Sequence, residues 1–375
     1  MIRWWWASAF ALLVACGTDA PDVPHLDWPT SAAIPLTQAG DDYYYTAMVA
    51  IGDQTFALLV DTGSSTTVVA STQCTSCTTV SPLYAPGATA KDTGNQTSGM
   101  YVDFSTWDGE IYVDQVGLGN TTPAVPLEIA AMVDELAFFR DDYSEGIFGA
   151  GPTQALEGDT TAYQTTATES GAPNELAFEL CDGSGTMWIG DPDASAMGSA
   201  LMYTPLTGAT DDAPYYNVAI SDLGIGGTSL GFGPSTYKAG AIDTGTTDFV
   251  IPTDAYDMLI AQVDSSPGVA ALFGTQSLAN GCFTAAGVTA AQVDAMLPAM
   301  STTFTGSATF VVSSPPTRSY LNDVGNGMFC LAAADGGAGD QSVTILGDAF
   351  MRGFVTVLDF DHDRAGFAPD VGCGN

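Results

Sequence analysis

From Tyr43 onward, short runs of β-branched and aromatic residues alternate with clusters of Gly, Asp and Thr, the pattern of many short strands. The stretch "YYYTAMVAIGDQTFALLVDTG" predicts two strands around a Gly52-Asp53 turn. "YVDFSTWDGEIYVDQVGLG" predicts a hairpin around Trp107-Asp108-Gly109. Helical periodicity is scarce, clearest in "PTDAYDMLIAQV" (Pro252 to Val263) and "TAAQVDAMLPAM". The pattern is that of a mainly β protein.

The pattern also repeats. Each half opens on an aromatic-rich strand pair, "YYYTAMVAIG" and then "PYYNVAISDLGIGG". Each proceeds through apolar residues to Asp-Thr-Gly, in "FALLVDTGSSTTVVAS" and in "AGAIDTGTTDFVIP". Each later sets two apolar residues before a glycine, Ile147-Phe148-Gly149 and Ile345-Leu346-Gly347. Two similar lobes are expected, residues 42–195 and 196–375, joined around "GDPDASAMGSALMYTPL", which is rich in small and turn residues.

With 375 residues the chain is long enough for two such lobes with a buried core. Its 7 Lys+Arg against 43 Asp+Glu give a formal charge of −36, which repels nucleic acid and anionic lipid headgroups. The acidity otherwise reads as a solvated surface. The opening "MIRWWWASAFALLVACG" has one basic residue, Arg3, and an apolar run too short to span a bilayer, the shape of a signal peptide over residues 1–15. Leu13-Val14-Ala15-Cys16 resembles a bacterial lipobox, which implies an exported lipoprotein anchored through Cys16 at the cell envelope, periplasmic or at the cell surface. Residues 16–41, polar and Pro-rich, read as a tether. The sequons at Asn95 and Asn120 matter only in a eukaryotic host.

Beyond Cys16 stand Cys74, Cys77, Cys181, Cys282, Cys330 and Cys373, an even set that in an exported protein implies disulfides, with the pairing left open. Cys74 and Cys77 form the single C-x-x-C, and His25 and His362 lie far apart in sequence, so a local staple is favoured over a metal or redox site. No cofactor is called for.

The chemistry lies in the repeated motif. Two carboxylates within hydrogen-bonding distance share one proton, which sets a general acid beside a general base. Gly63 and Gly245 permit a tight turn that brings backbone N–H groups to the carboxylates. Ser64 and Thr246 are placed to donate to Asp61 and Asp243, lowering their pKa and favouring an acidic optimum. Thr62 and Thr244, at matching places, are candidates to lock the two turns together. A single copy is common turn chemistry; two copies in matching contexts are not.

On these residues the chain resembles the two-lobed, pepsin-like aspartic proteases, from about Tyr43 to Cys373. "ILGDAFMRGFVTVLDFDHDRAGFAP" (Ile345 to Pro369) resembles the family's C-terminal segment, and "EGIFGAGP" its matching strand in the first lobe. The resemblance implies a bilobal fold with a cleft between lobes, and Asp61 and Asp243 as the catalytic pair supported by Ser64 and Thr246. It further implies a polypeptide substrate, pepstatin-type inhibitors and a monomer, with a membrane reached only through the lipid anchor. It also implies disulfides Cys74–Cys77 and Cys282–Cys330. "FELC" with "GFAPDVGC" is similar to the plant nepenthesin-like branch, which implies Cys181–Cys373.

There are departures. The family's flap carries a tyrosine followed by glycine; in "MYVDFSTWDGEIYVD" the candidates are Tyr101 and Phe104, and alternation with Met100 and Val102 leans to Phe104. The tryptophan often found seven residues past the first aspartate is Val68. The tether is shorter and more acidic than a basic inhibitory prosegment, so no zymogen is expected. Two rivals stand beside this reading. "GTSLG" (Gly227 to Gly231) formally matches a serine-hydrolase elbow at Ser229, but lies in a glycine-rich turn. The other is a catalytically weak or inactive binding or inhibitor protein on the same fold.

Overall fold

The computed structural model describes residues 21–40, 44–101, 104–139, 144–152, 160–207, 215–306 and 309–373. The leader and Cys16 lie outside them. In the first half ten strands follow one another. They are β1 (Ser31–Ala39), β2 (Tyr44–Ile51), β3 (Gln54–Asp61), β4 (Val68–Ala70), β5 (Lys91–Met100), β6 (Thr106–Leu118), β7 (Val125–Leu136), β8 (Gly146–Gly149), β9 (Glu175–Cys181) and β10 (Ser184–Gly190). All ten belong to a 13-stranded sheet that three strands of the second half complete: Met202–Pro205, Phe354–Asp359 and Arg364–Pro369. Phe354–Asp359 pairs antiparallel with β9, so both halves share this sheet.

The remaining strands of the second half form an 8-stranded and a 3-stranded sheet. Disulfide Cys282–Cys330 staples the 3-stranded one across a paired position. Cys74–Cys77 closes the loop after β4, and Cys181–Cys373 ties the end of β9 to the last described residues.

The sequence repeat is a repeat of topology. In the first half β3 runs parallel to β8, with Asp61 opposite Gly149, and β4 returns antiparallel on the other side of β8. In the second half Ala239–Ile242 runs parallel to Thr344–Leu346, and Phe249–Ile251 returns antiparallel to it. The two apolar-apolar-glycine segments are thus the strands that separate each aspartate-bearing strand from its return. Glycine ends both because the motif turn crosses there. A β-carbon at Gly149 would overlap the backbone of Ser65 and Thr66, and one at Gly347 the carbonyls of Thr246 and Asp248.

Two readings from the sequence change. Residues 31–39, assigned to the tether, form β1, inserted between β10 and β2. Ala32, Ile34 and Leu36 are buried while Ala33, Pro35 and Thr37 are exposed, the period-2 alternation of a half-buried strand. The turn expected at Trp107-Asp108-Gly109 falls earlier: Tyr101 N–H donates to Ser105 O at 3.0 Å, and Phe104 N–H to Tyr101 O at 3.0 Å. Trp107 to Gly109 lie inside β6, where a register shift against β7 between Asp108 and Gly109 takes up the turn-like composition.

Candidate active site

The two Asp-Thr-Gly turns meet face to face. Thr62 Oγ1 donates to Ile242 O at 3.0 Å and accepts from Thr244 N–H at 3.0 Å. Thr244 Oγ1 mirrors it, donating to Val60 O at 2.7 Å and accepting from Thr62 N–H at 3.1 Å. Both threonines are buried, so these four bonds are shielded from competing water. Tyr216, also buried, adds a further bridge between the halves by donating to Ala150 O at 2.7 Å.

This lock sets the carboxyls of Asp61 and Asp243 facing each other, each beside the glycine of the opposite motif. Each has a matching set of supports. Gly63 N–H donates to Asp61 Oδ1 at 2.7 Å and Ser64 Oγ to Oδ2 at 2.5 Å. Gly245 N–H donates to Asp243 Oδ1 at 2.8 Å and Thr246 Oγ1 to Oδ2 at 2.7 Å. Asp61 is buried, and burial pushes its pKa well above the usual carboxylate range, with the charge of Asp243 adding to the rise. The Ser64 and Gly63 bonds oppose this but do not overcome it. The expectation that the serine sets a low pKa is therefore reversed for Asp61, because desolvation and the charge of Asp243 outweigh the two donors.

The glycines bring their N–H groups to the carboxylates as expected, and they serve a second end as well. Neither Gly63 nor Gly245 has the left-handed backbone that favours glycine. A β-carbon at Gly63 would lie 2.5 Å from Asp243 Oδ1, and one at Gly245 would overlap the Asp61 carboxyl. Glycine is needed for the approach of the opposite aspartate.

A third carboxyl, which the sequence did not single out, stands behind the pair. Asp348 opens the one-turn helix Asp348–Met351, its N–H donating to Thr246 O at 2.8 Å. It is fully buried, and neither of its carboxyl oxygens has a hydrogen-bond partner among the described residues. Burial, then the charge of Asp243, push its pKa well up, against the pull of Arg352. The only signal for it was an acidic residue directly after the glycine of "ILGD".

The two flap candidates are placed unlike each other. Phe104 is 79% exposed with φ at 66°, whereas Tyr101 packs against Phe138 at 5.7 Å between ring centroids. Tyr101 Oη also accepts from the indole N–H of Trp107 at 3.2 Å. Ser229 lies on the two-residue strand Thr228–Ser229, its hydroxyl donating to Asp222 at 2.6 Å, with no histidine in that contact.

A mainly β fold of two like halves, each supplying one aspartate to a facing pair, defines the pepsin-like class of aspartic endopeptidases. Comparison with known families agrees: residues 43–370 match the model described as eukaryotic aspartyl protease, and the chain belongs to that family. It is 28% identical over 350 residues to an aspartic protease of Phaffia rhodozyma, covering 92% of this chain and 81% of the relative. It is 26% identical over 341 residues to penicillopepsin-1 of Penicillium janthinellum, covering 89% and 98%. Gastricsin of Mus musculus is 26% identical over 359 residues, covering 90% and 83%.

Proposed function

We propose that the protein hydrolyses peptide bonds in polypeptides at acidic pH, with Asp61 and Asp243 activating one water between them. The observation that carries this reading is the facing carboxyl pair with its mirrored donors. The pair holds one proton over its working range. The ionised carboxyl takes a proton from the water as its oxygen attacks the scissile carbonyl carbon, while the protonated carboxyl gives its proton to the carbonyl oxygen. As the C–N bond breaks, the carboxyl that took the water proton gives it to the leaving nitrogen, and the other carboxyl takes a hydroxyl proton from the collapsing tetrahedral species, which restores the singly protonated pair.

Activity in this scheme requires the singly ionised pair, so it falls on both sides of an acidic maximum. Pepstatin-type inhibitors are expected to occupy the same site. Export and anchoring through Cys16 would place the activity at the cell envelope, on polypeptides outside the cytoplasm. The test is an acid casein digest with and without pepstatin. Pepstatin-sensitive cleavage somewhere between about pH 3 and pH 6 is expected; its absence across that range overturns the proposal.

A further inference from the structure

By strand alternation Asp222 should face the core, and it does not. On the strand Asn217–Ile225 the side chains of Val218 and Ile220 are buried, which makes Asp222 the next to point inward. The pairing with the strand Met300–Phe304 slips between Ile220 and Asp222, and beyond the slip Leu223 and Ile225 are the buried ones. Ser221 is the extra residue, its hydroxyl donating to Thr303 O at 3.2 Å. A bulge at this point re-aims one carboxylate from the core to the opposite face of the sheet.

That face forms a trough of about 410 Å³. Two cross-strand rows run along it, Asp222–Thr303–Val311 and Gly224–Ser301–Ser313, the last member of each on the strand Phe310–Ser314. Ser229, the serine of "GTSLG", lines it as well. None of the lining residues belongs to either Asp-Thr-Gly turn.

The trough takes hydrogen bonds and has few to give. Ser229 Oγ donates to Asp222 Oδ1 at 2.6 Å, Ser313 Oγ to Met300 O at 2.9 Å and Ser301 Oγ to Gly224 O at 3.4 Å. A hydroxyl has one proton, so these three offer the trough only lone pairs, beside the carboxylate. No Lys, Arg or His lines it, and among the described residues Asp222 makes no ion pair. An occupant must therefore bring both the donors and the positive charge. A guanidinium spreads its N–H donors over a planar fork, which suits acceptors set out on neighbouring strands; an ammonium gathers them at one point.

We propose that this trough docks an arginine side chain of a polypeptide, with Asp222 as its counter-ion. The docking does not depend on the endopeptidase reading. Joined to that reading, it holds arginine-bearing substrates at a second point and raises their effective concentration at the dyad.

The experiment titrates the full chain with N-acetyl-arginine amide, and with N-acetyl-citrulline amide as a probe of the same shape without the charge. The readout is the Val311 methyl resonances in 13C-methyl-valine-labelled protein, identified by their loss in Val311→Ile. A saturable shift with the arginine probe and none with the citrulline probe is expected. Asp222→Asn should weaken binding by ~10-fold or more, the worth of one charge-assisted hydrogen bond. Asp92→Asn removes the same charge from an exposed site in the first half and should change binding by less than about 2-fold. Ser313→Leu, at an exposed strand position, fills the trough without altering its charge and should abolish binding. Unmoved Val311 resonances, equal binding of the citrulline probe, full binding in Ser313→Leu, or equal losses in Asp222→Asn and Asp92→Asn would each overturn the assignment. No cleavage enters this measurement, so docking in a protein without pepstatin-sensitive hydrolysis sustains the trough and defeats only the endopeptidase reading.

Discussion

Thr62→Val removes one hydroxyl and almost no volume, which makes it a clean probe of the lock between the halves. Two bonds vanish, the donation to Ile242 O and the acceptance from Thr244 N–H, both at 3.0 Å between buried groups. Each bond contributes about 1 kcal/mol net, and a buried N–H left without its acceptor costs about 1–3 kcal/mol more. Valine fills the same space, so no cavity is added. The sum is about 3–5 kcal/mol, which corresponds to roughly 4–6 °C in Tm for a chain of 375 residues. Because the same threonine sets the spacing of the two aspartates, kcat should fall by ~10- to 100-fold as the pair loses alignment. Differential scanning calorimetry and casein hydrolysis at the pH of maximal activity measure the two effects. Thr62→Ser keeps the hydroxyl and should retain most of both, and Thr244→Val should match Thr62→Val because the bonds are mirrored. Wild-type Tm and kcat in Thr62→Val would refute the reasoning. A serine variant as damaged as the valine one would show that the hydroxyl alone does not hold the lock.

Asp61→Asn and Asp243→Asn should each abolish nearly all cleavage, by ~10⁴-fold or more, with circular dichroism unchanged, since the pair acts as a unit; substantial activity in either would show that the dyad is misassigned. Stability should decline from acid toward neutral pH. Burial raises Glu175 and Glu179 to about 7, and Asp61 and Asp348 are raised as well. An acid whose folded pKa is raised binds more protons folded than unfolded, so its contribution is full below its ordinary pKa and lost as pH climbs through the folded one. Tm followed from about pH 4 to pH 8 should therefore fall through the region near 7, and Glu179→Gln should flatten part of that fall; a Tm that rises over this range would contradict the assignment.

The dyad and its supports were legible because their chemistry is local: each donor lies within three residues of its aspartate, and the motif occurs twice. The apolar-apolar-glycine strands were legible for the same reason. The first strand was not, because Pro35 and its polar neighbours resemble a linker, and only the buried set Ala32, Ile34, Leu36 betrays a strand edge-on to two partners. Trp107-Asp108-Gly109 has turn composition but sits in a strand, since a bulge tolerates the same residues. The burial of Asp348 was out of reach of any local rule. It comes from a helix N-terminus pressed against the second motif by a long-range pairing. Alternation leaned to Phe104, and no local rule shows that Tyr101 is the one held by a bond to Trp107.

The glycines of the two turns carry a consequence for how this sequence can change. The space that forbids a side chain at Gly63 is occupied by Asp243, and the space that forbids one at Gly245 is occupied by Asp61. Neither half therefore sets its own tolerance at this position; each reads it from the other. Gly63→Ala should become less harmful when Asp243 is shortened, and Gly245→Ala when Asp61 is. The two halves, free to diverge almost everywhere else, are held to a common vocabulary at the place where their two motifs meet.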